Sequence, residues 1–148
     1  MARAIDVVAE RWPERERSRL LLRVIDASAA IGAFYPADPH HGRVVALLER
    51  HASGGFAVHP MTLAECLVGA TRVGHLAQVS VQIRNMGIEA TSPDPDEPQL
   101  IAEIRSNTRL KLPDRCVLSA ALSLSAPLMT FDEKLRDSAR AQSVDLVE

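Results

Sequence analysis

The sequence predicts one parallel α/β domain of three layers. Short apolar segments alternate with helix-like segments along the chain, which is the pattern of a parallel sheet covered by helices. The first apolar run, LLLRVI at residues 20–25, ends abruptly at Asp26-Ala27-Ser28. A short, nearly continuous apolar run of this kind is typical of a strand buried on both faces. The length of 148 residues, 47% of them hydrophobic, suits a single globular domain.

Turn-forming residues divide the chain into five predicted strands and seven predicted helices. The predicted boundaries between these elements are marked by Gly54-Gly55, Pro60, Gly87 and Pro127. The strands are predicted at residues 20–26, 56–59, 88–91, 128–131 and 144–147. The helices are predicted at residues 28–34, 40–51, 62–72, 75–86, about 100–107, 114–125 and 132–140, with Ser28 as the cap of the first.

Residues 1–19 precede the first predicted strand and contain a run of alternating charges, Glu14 to Arg19. We interpret them as a solvated N-terminal extension, with an RNA-contacting arm as the alternative. The domain itself is predicted to span residues 20–148.

Composition excludes several classes of protein. A net charge of −2 argues against a generic basic nucleic-acid binder. No apolar stretch reaches the roughly 20 residues of a membrane span, and no signal peptide opens the chain, so a cytoplasmic protein without membrane contact is expected. In that reducing compartment, the two cysteines, Cys66 and Cys116, are expected to be buried free thiols.

Four acidic residues stand out as candidates for a functional site: Asp26, Glu65, Asp114 and Asp132. Each also has a purely structural interpretation. Thr62 and Glu65 have the spacing of a capping box, and Asp114 follows a proline at the start of a helix. Asp26 and Asp132 each follow a strand and could cap the next helix.

The joint placement of these acids favours function. Asp26 and Asp132 both end strands, and the carboxyl ends of parallel strands share one edge of a sheet, where ligands bind. Glu65 lies about one turn into the helix after the second strand, and Asp114 begins a helix that must pack on the sheet. Converging carboxylates repel one another and raise at least one pKa, a cost that a divalent cation removes. Oxygen ligands without His or Cys select hard ions, so Mg²⁺ or Mn²⁺ is predicted.

The same segments resemble the PIN domain, specifically toxin ribonucleases of the VapC type. The resemblance is carried by VIDASA at 24–29, TLAE at 62–65, LKLPD at 110–114 and MTFD at 129–132, in the order and about the spacing of the family. It covers roughly residues 24–147. The resemblance implies a five-stranded parallel sheet, hydrolysis of RNA with Mg²⁺ or Mn²⁺, and a cognate antitoxin that blocks the site.

Roles carried over by position follow from this resemblance. Asp26, Glu65 and Asp114 match metal ligands, and Asp132 matches a ligand or an acid that holds water on the metal. Ser28 and Thr130 match hydroxyl groups that hydrogen-bond the acids. The resemblance also suggests a homodimer formed through the helices of residues 62–86.

Basic residues near the acids are candidate phosphate contacts, although solvated helix ends are the default interpretation. They are Arg72, Arg105, Arg109, Lys111 and Arg115. The five histidines lack zinc-site spacing and are expected at the surface or in turns. The acids at 94–97 lie among prolines and are expected to form a solvated loop.

The sequence therefore predicts a metal-dependent endoribonuclease, the toxin of a type II toxin–antitoxin pair. Ser28 has no adjacent base and no nucleophile elbow occurs, which favours metal-assisted hydrolysis of a phosphodiester. One alternative is a catalytically silent PIN-like interaction module. The other is a receiver-like signalling domain, which would need a lysine after its last strand, where this chain has Val147-Glu148.

Overall fold

The computed structural model describes residues 22–148. The predicted extension at residues 1–19, and the beginning of the first predicted strand, lie outside this part of the chain. Within it, four strands and seven α-helices alternate: β1 (Arg23–Ile25), α1 (Ala27–Phe34), α2 (His41–Arg50), β2 (Phe56–Val58), α3 (Pro60–Arg72), α4 (Leu76–Asn85), β3 (Ile88–Ala90), α5 (Glu97–Asn107), α6 (Leu112–Leu124), β4 (Leu128–Met129) and α7 (Glu133–Ala141). None of the described helices is long and apolar enough to cross a membrane.

The four strands form one parallel sheet in the order β3-β2-β1-β4. The prediction of a five-stranded sheet is therefore wrong in number for residues 22–148. The predicted fifth strand is reduced to an isolated parallel bridge between Leu128 and Leu146. Two backbone hydrogen bonds hold this segment, from Leu128 N–H to Asp145 and from Val147 N–H to Leu128. Because β4 is only two residues long, it offers too few partners for a longer ladder.

Side chains alternate between the two faces of the sheet, as strand geometry requires. Val24, Ala57 and Leu128 belong to one hydrophobic cluster, which they form with residues of α5, α6 and α7. Ile25 and Phe56 belong to the other cluster, which contains residues of α1, α2 and α4. The central strands are thus covered on both faces, and the predicted three-layer α/β architecture is confirmed.

The structure decides which of the predicted helix caps form. Both Ser28 and Asp26 were predicted as possible caps of α1, and Asp26 is the cap, because it accepts the Ala29 N–H at 2.9 Å. The predicted capping box of Thr62 and Glu65 does not form, because α3 begins at Pro60, with His59 as its cap. Proline at the first helical position is favoured because its missing N–H needs no partner there, so the helix starts two residues earlier than predicted.

Candidate acidic site at the sheet edge

The carboxyl ends of β1 and β4 lie side by side, because these strands are neighbours in the parallel sheet. Asp26 directly follows β1, and Thr130 directly follows β4. Both residues are buried, Asp26 with 4% of its surface exposed. The fold therefore places a buried carboxylate at the edge where ligands bind in parallel α/β proteins.

Two hydroxyl groups hold this carboxylate. Ser28 Oγ donates to Asp26, 2.7 Å from Oδ1, and Thr130 Oγ1 donates to Oδ2. The same hydroxyl oxygens accept backbone N–H groups of the segment after β4, from Phe131 to Ser28 at 3.0 Å and from Asp132 to Thr130 at 3.0 Å. Ser28 and Thr130 thus tie the Asp26 carboxylate to the segment that carries Asp132.

Burial raises the pKa of the Asp26 carboxyl group. Hydrogen bonds from Thr130, the Ala29 amide and Ser28 oppose this shift, while the negative charge of Asp132 adds to it. Burial likewise raises the pKa of Asp114, and the charges of Asp132 and Asp26 raise it further. Three of the four predicted acids are thus close enough to repel one another, which is the electrostatic pattern expected of a cation site.

Asp114 and Asp132 line one cavity of about 450 Å³, which we call the acid cavity. Asp114 lies in the first turn of α6, and Asp132 caps α7 by accepting the Leu135 N–H at 2.9 Å. Helix N-termini favour negative charge, so these positions stabilise carboxylates that the sheet edge brings together. The capping and functional interpretations are therefore compatible: Asp132 caps α7 and lines the acid cavity, and Asp26 caps α1 at the same edge of the sheet.

Glu65, the fourth predicted acid, is exposed on α3. Neither Glu65 nor the buried Asp26 is among the residues that line the acid cavity. The charge of Glu65 acts on Cys66, which also feels Asp26, and burial together with these two charges raises the pKa of the Cys66 thiol to about 11. Both cysteines are free thiols, as predicted, with Cys116 buried and Cys66 partly buried.

Within residues 22–148, no three Asp, Glu, His or Cys side chains are gathered closely enough to hold a metal ion as they stand. The chemistry of the donor set nevertheless fits a hard divalent cation. The candidate donors are carboxylate oxygens, and burial together with the charge of Asp132 raises the pKa of both Asp26 and Asp114. A bound cation would relieve that repulsion, and carboxylate-only sites suit Mg²⁺ or Mn²⁺.

Two of the predicted phosphate contacts, Arg109 and Lys111, line the acid cavity together with Lys134. Lys134 was missed at the sequence level, although its position two residues after Asp132 could have indicated it. Arg72, Arg105 and Arg115 do not line this cavity. Arg72 and Arg105 are exposed near helix ends, and the buried Nε of Arg115 has no hydrogen-bond partner among the described residues.

A second polar cluster was also missed. His59, expected at the surface or in a turn, is buried and its Nε2 lies 2.9 Å from Glu97 Oε1. Ser119 Oγ donates to the same oxygen at 3.0 Å. His59 Nδ1 accepts the Met61 N–H, so Nε2 carries the proton that is shared with Glu97. Glu97 was expected in a solvated loop. It instead begins α5 and links the start of α3 to α6, the helix that carries Asp114.

The site and fold define a parallel α/β domain with a carboxylate site at the carboxyl ends of its central strands. The sequence profile of the PIN domain matches residues 23–141. The chain therefore belongs to the PIN domain family, which excludes the receiver-like alternative. The comparison with curated protein sequences gave no match.

Solved structures share this fold. A toxin–antitoxin complex from Klebsiella pneumoniae has a chain with a TM-score of 0.64 and 21% identity, covering 76% of this chain and 88% of that one. VapBC2 from Rickettsia felis, solved with a DNA fragment from the VapBC2 promoter, has a TM-score of 0.62 and 16% identity. The match covers 84% of this chain and 96% of that one. PAE2754 from Pyrobaculum aerophilum has a TM-score of 0.51 and 19% identity, and the match covers 81% of this chain and 87% of that one. At these identities the likeness establishes a common fold.

Proposed function

We propose that this PIN domain is a metal-dependent endoribonuclease and the toxin component of a type II, VapBC-like toxin–antitoxin pair. The observation that carries the proposal is the placement of acids at one sheet edge of a PIN fold: Asp26 follows β1 beside β4, and Asp132, just after β4, shares a cavity with Asp114. The toxin role is supported by the fold shared with chains of two toxin–antitoxin complexes.

In this proposal Asp26, Glu65 and Asp114 hold Mg²⁺ or Mn²⁺, and Asp132 is a further ligand or orients water. When bound, such an ion would lower the pKa of water enough to supply hydroxide for attack on a phosphodiester. Ser28 and Thr130 fix the direction of the Asp26 carboxylate by donating to its two oxygens. Arg109, Lys111 and Lys134, at the rim of the acid cavity, would bind phosphate oxygens.

The test is cleavage of a pool of structured RNAs by the purified protein with Mg²⁺, Mn²⁺ or EDTA. Asp26→Asn should abolish cleavage while leaving the protein folded. Asp145→Asn is a matched control, because Asp145 is exposed and lies beside the start of β4, at the opposite end of that strand from the acids. Binding of the ion is measured separately, as the shift in unfolding temperature on adding Mn²⁺.

Each outcome has a distinct meaning. Cleavage that requires both the metal and Asp26 supports the ribonuclease. A Mn²⁺ shift that Asp26→Asn removes, without cleavage, supports the metal site but not the activity on these RNAs. Neither cleavage nor a Mn²⁺ shift would refute the proposal and favour the silent interaction module.

The proposed partners are an RNA substrate, a cognate antitoxin protein and a second copy of the chain. The homodimer is supported by exposed apolar side chains on α3 and α4 and the turn between them, namely Val68, Val73, Leu76 and Val81. Val81→Lys should shift a dimer towards monomer in analytical ultracentrifugation, and an unchanged mass would count against this interface. We expect the protein in the cytoplasm.

A further inference from the structure

A second cavity is lined in part by the segment that follows β4. It has a volume of about 420 Å³, and we call it the arginine cavity. Its lining includes Arg43 from α2, Arg136 and Arg140 from α7, and the acidic Glu133 and Asp137; Asp137 Oδ1 lies 3.7 Å from Arg140 Nη1. It shares Phe131 and Glu133 with the acid cavity, so the two cavities adjoin across these residues.

An ordered stack of side chains forms one wall of the arginine cavity. The His40 ring stacks on the Phe131 ring with centroids 4.4 Å apart and planes inclined by 12°. The Arg43 guanidinium carbon lies 5.5 Å from the Phe131 ring centroid. Contact with an aromatic ring orients a guanidinium group without using its N–H donors. Arg43 also has no ion pair with an acidic group of the described chain, so its charge is available to a ligand.

The two arginines of α7 already share one anionic oxygen. Glu148 Oε1 lies 2.8 Å from Arg136 Nη2 and 3.3 Å from Arg140 Nη2. Two guanidinium groups on one carboxylate oxygen make the type of contact that they make with a phosphate oxygen. The pair is therefore spaced to bind an anion, and Glu148 is an exposed, displaceable occupant.

We propose that the arginine cavity binds the backbone phosphate of a nucleotide adjacent to the cleaved one in single-stranded RNA, an inference that rests on the proposed ribonuclease function. The strand would cross Phe131 from the acid cavity, and its phosphate would replace Glu148 on Arg136 and Arg140. A single strand is favoured because the path between the cavities crosses a stacked ring pair that an unpaired nucleotide can contact. Arg43, Arg136 and Arg140 then extend the substrate contacts beyond the acids.

The experiment measures binding of a single-stranded RNA of about 12 nucleotides, a length that exceeds the acid cavity alone. All variants are made in the Asp26→Asn protein so that the RNA stays intact. Arg43→Gln and Arg140→Gln should each weaken binding about three- to tenfold and reduce the slope of log affinity against log salt by about 0.7. Arg84→Gln, an exposed arginine of α4 that lines neither cavity, is the matched control and should change neither quantity.

Glu148→Gln should have the opposite effect and strengthen binding severalfold, because the competing charge is removed while the side-chain size is kept. A dinucleotide should bind the arginine variants and their parent equally, because it does not reach past the acid cavity. Unaltered binding and salt dependence in Arg43→Gln and Arg140→Gln would overturn this inference while leaving the ribonuclease proposal standing. Failure of the Asp26→Asn parent to bind the RNA would also overturn this inference, whereas the ribonuclease proposal is decided by the cleavage and Mn²⁺ measurements on the purified protein.

Discussion

The Ser28 and Thr130 hydroxyl groups that donate to Asp26 form what we call the hydroxyl clamp. Replacing Thr130 with valine tests whether this clamp stabilises the fold. Valine keeps the shape of threonine but removes the hydroxyl that donates to Asp26 and accepts the Asp132 N–H. A hydrogen bond to a charged acceptor contributes about 1.5–3 kcal/mol. Because Asp26 is buried, solvent cannot readily replace the lost donor. We expect Thr130→Val to lower the free energy of unfolding by about 2–3 kcal/mol.

The structure supplies a matched control in Thr62. Both threonines are buried, but Thr62 Oγ1 has no hydrogen-bond partner among the described residues. Thr62→Val should therefore be neutral, or stabilising by up to about 1 kcal/mol, because it removes a buried unpaired hydroxyl group. Thr130→Ser keeps the donor and should lose much less stability than Thr130→Val.

The assay is urea and thermal unfolding in EDTA, followed by circular dichroism. Unfolding entropy scales with chain length, so a loss of about 2–3 kcal/mol corresponds to a fall of about 6–11 °C in midpoint for a domain of this size. If Thr130→Val and Thr62→Val differ by less than about 0.5 kcal/mol, the clamp contributes nothing measurable and the reasoning fails.

Further predictions concern charge repulsion and helix packing. Asp114→Asn should raise the unfolding midpoint in EDTA, because burial and the charges of Asp132 and Asp26 disfavour the ionised Asp114 in the folded protein. The same change should reduce the stabilisation by Mn²⁺. A lower midpoint in EDTA would contradict this reasoning. Gly32→Ala should destabilise the protein by about 1–3 kcal/mol in urea titrations, because its Cβ would lie 3.0 Å from a methyl group of Val44. Gly42→Ala is the control, because Gly42 also lies in a helix but has open space around its Cβ, and this change should be neutral or stabilising. Equal effects of the two changes on stability would refute the packing argument.

Much of the fold could be predicted because its signals are local. The short runs at residues 20–26 and 128–131 identified β1 and β4, and glycine and proline marked the boundaries of the helices. The alternation of strands and helices then restricts the topology to a parallel sheet, which explains why the acids that end strands could be assigned to one edge.

Prediction from local patterns failed where two nearby residues were equally suited to the same structural role. Ser28 and Asp26 are both good helix caps, and the choice between them depends on the contact of Ser28 with Asp26 and with Phe131, more than a hundred residues later in the chain. The fifth strand was overpredicted because a short apolar segment does not reveal how many partners its neighbour in the sheet provides.

By itself, the sequence determined the α/β class, the order of the elements and the four acidic candidates, because periodicity, turn residues and capping act over a few residues. Only the tertiary structure decided which groups meet. Asp114 and Asp132 share a cavity with Lys134, Glu97 joins His59 to Ser119, and Phe131 separates the acids from three arginines. These contacts link segments far apart in the chain, and their distances are set by how the helices pack on the sheet, which no local pattern records.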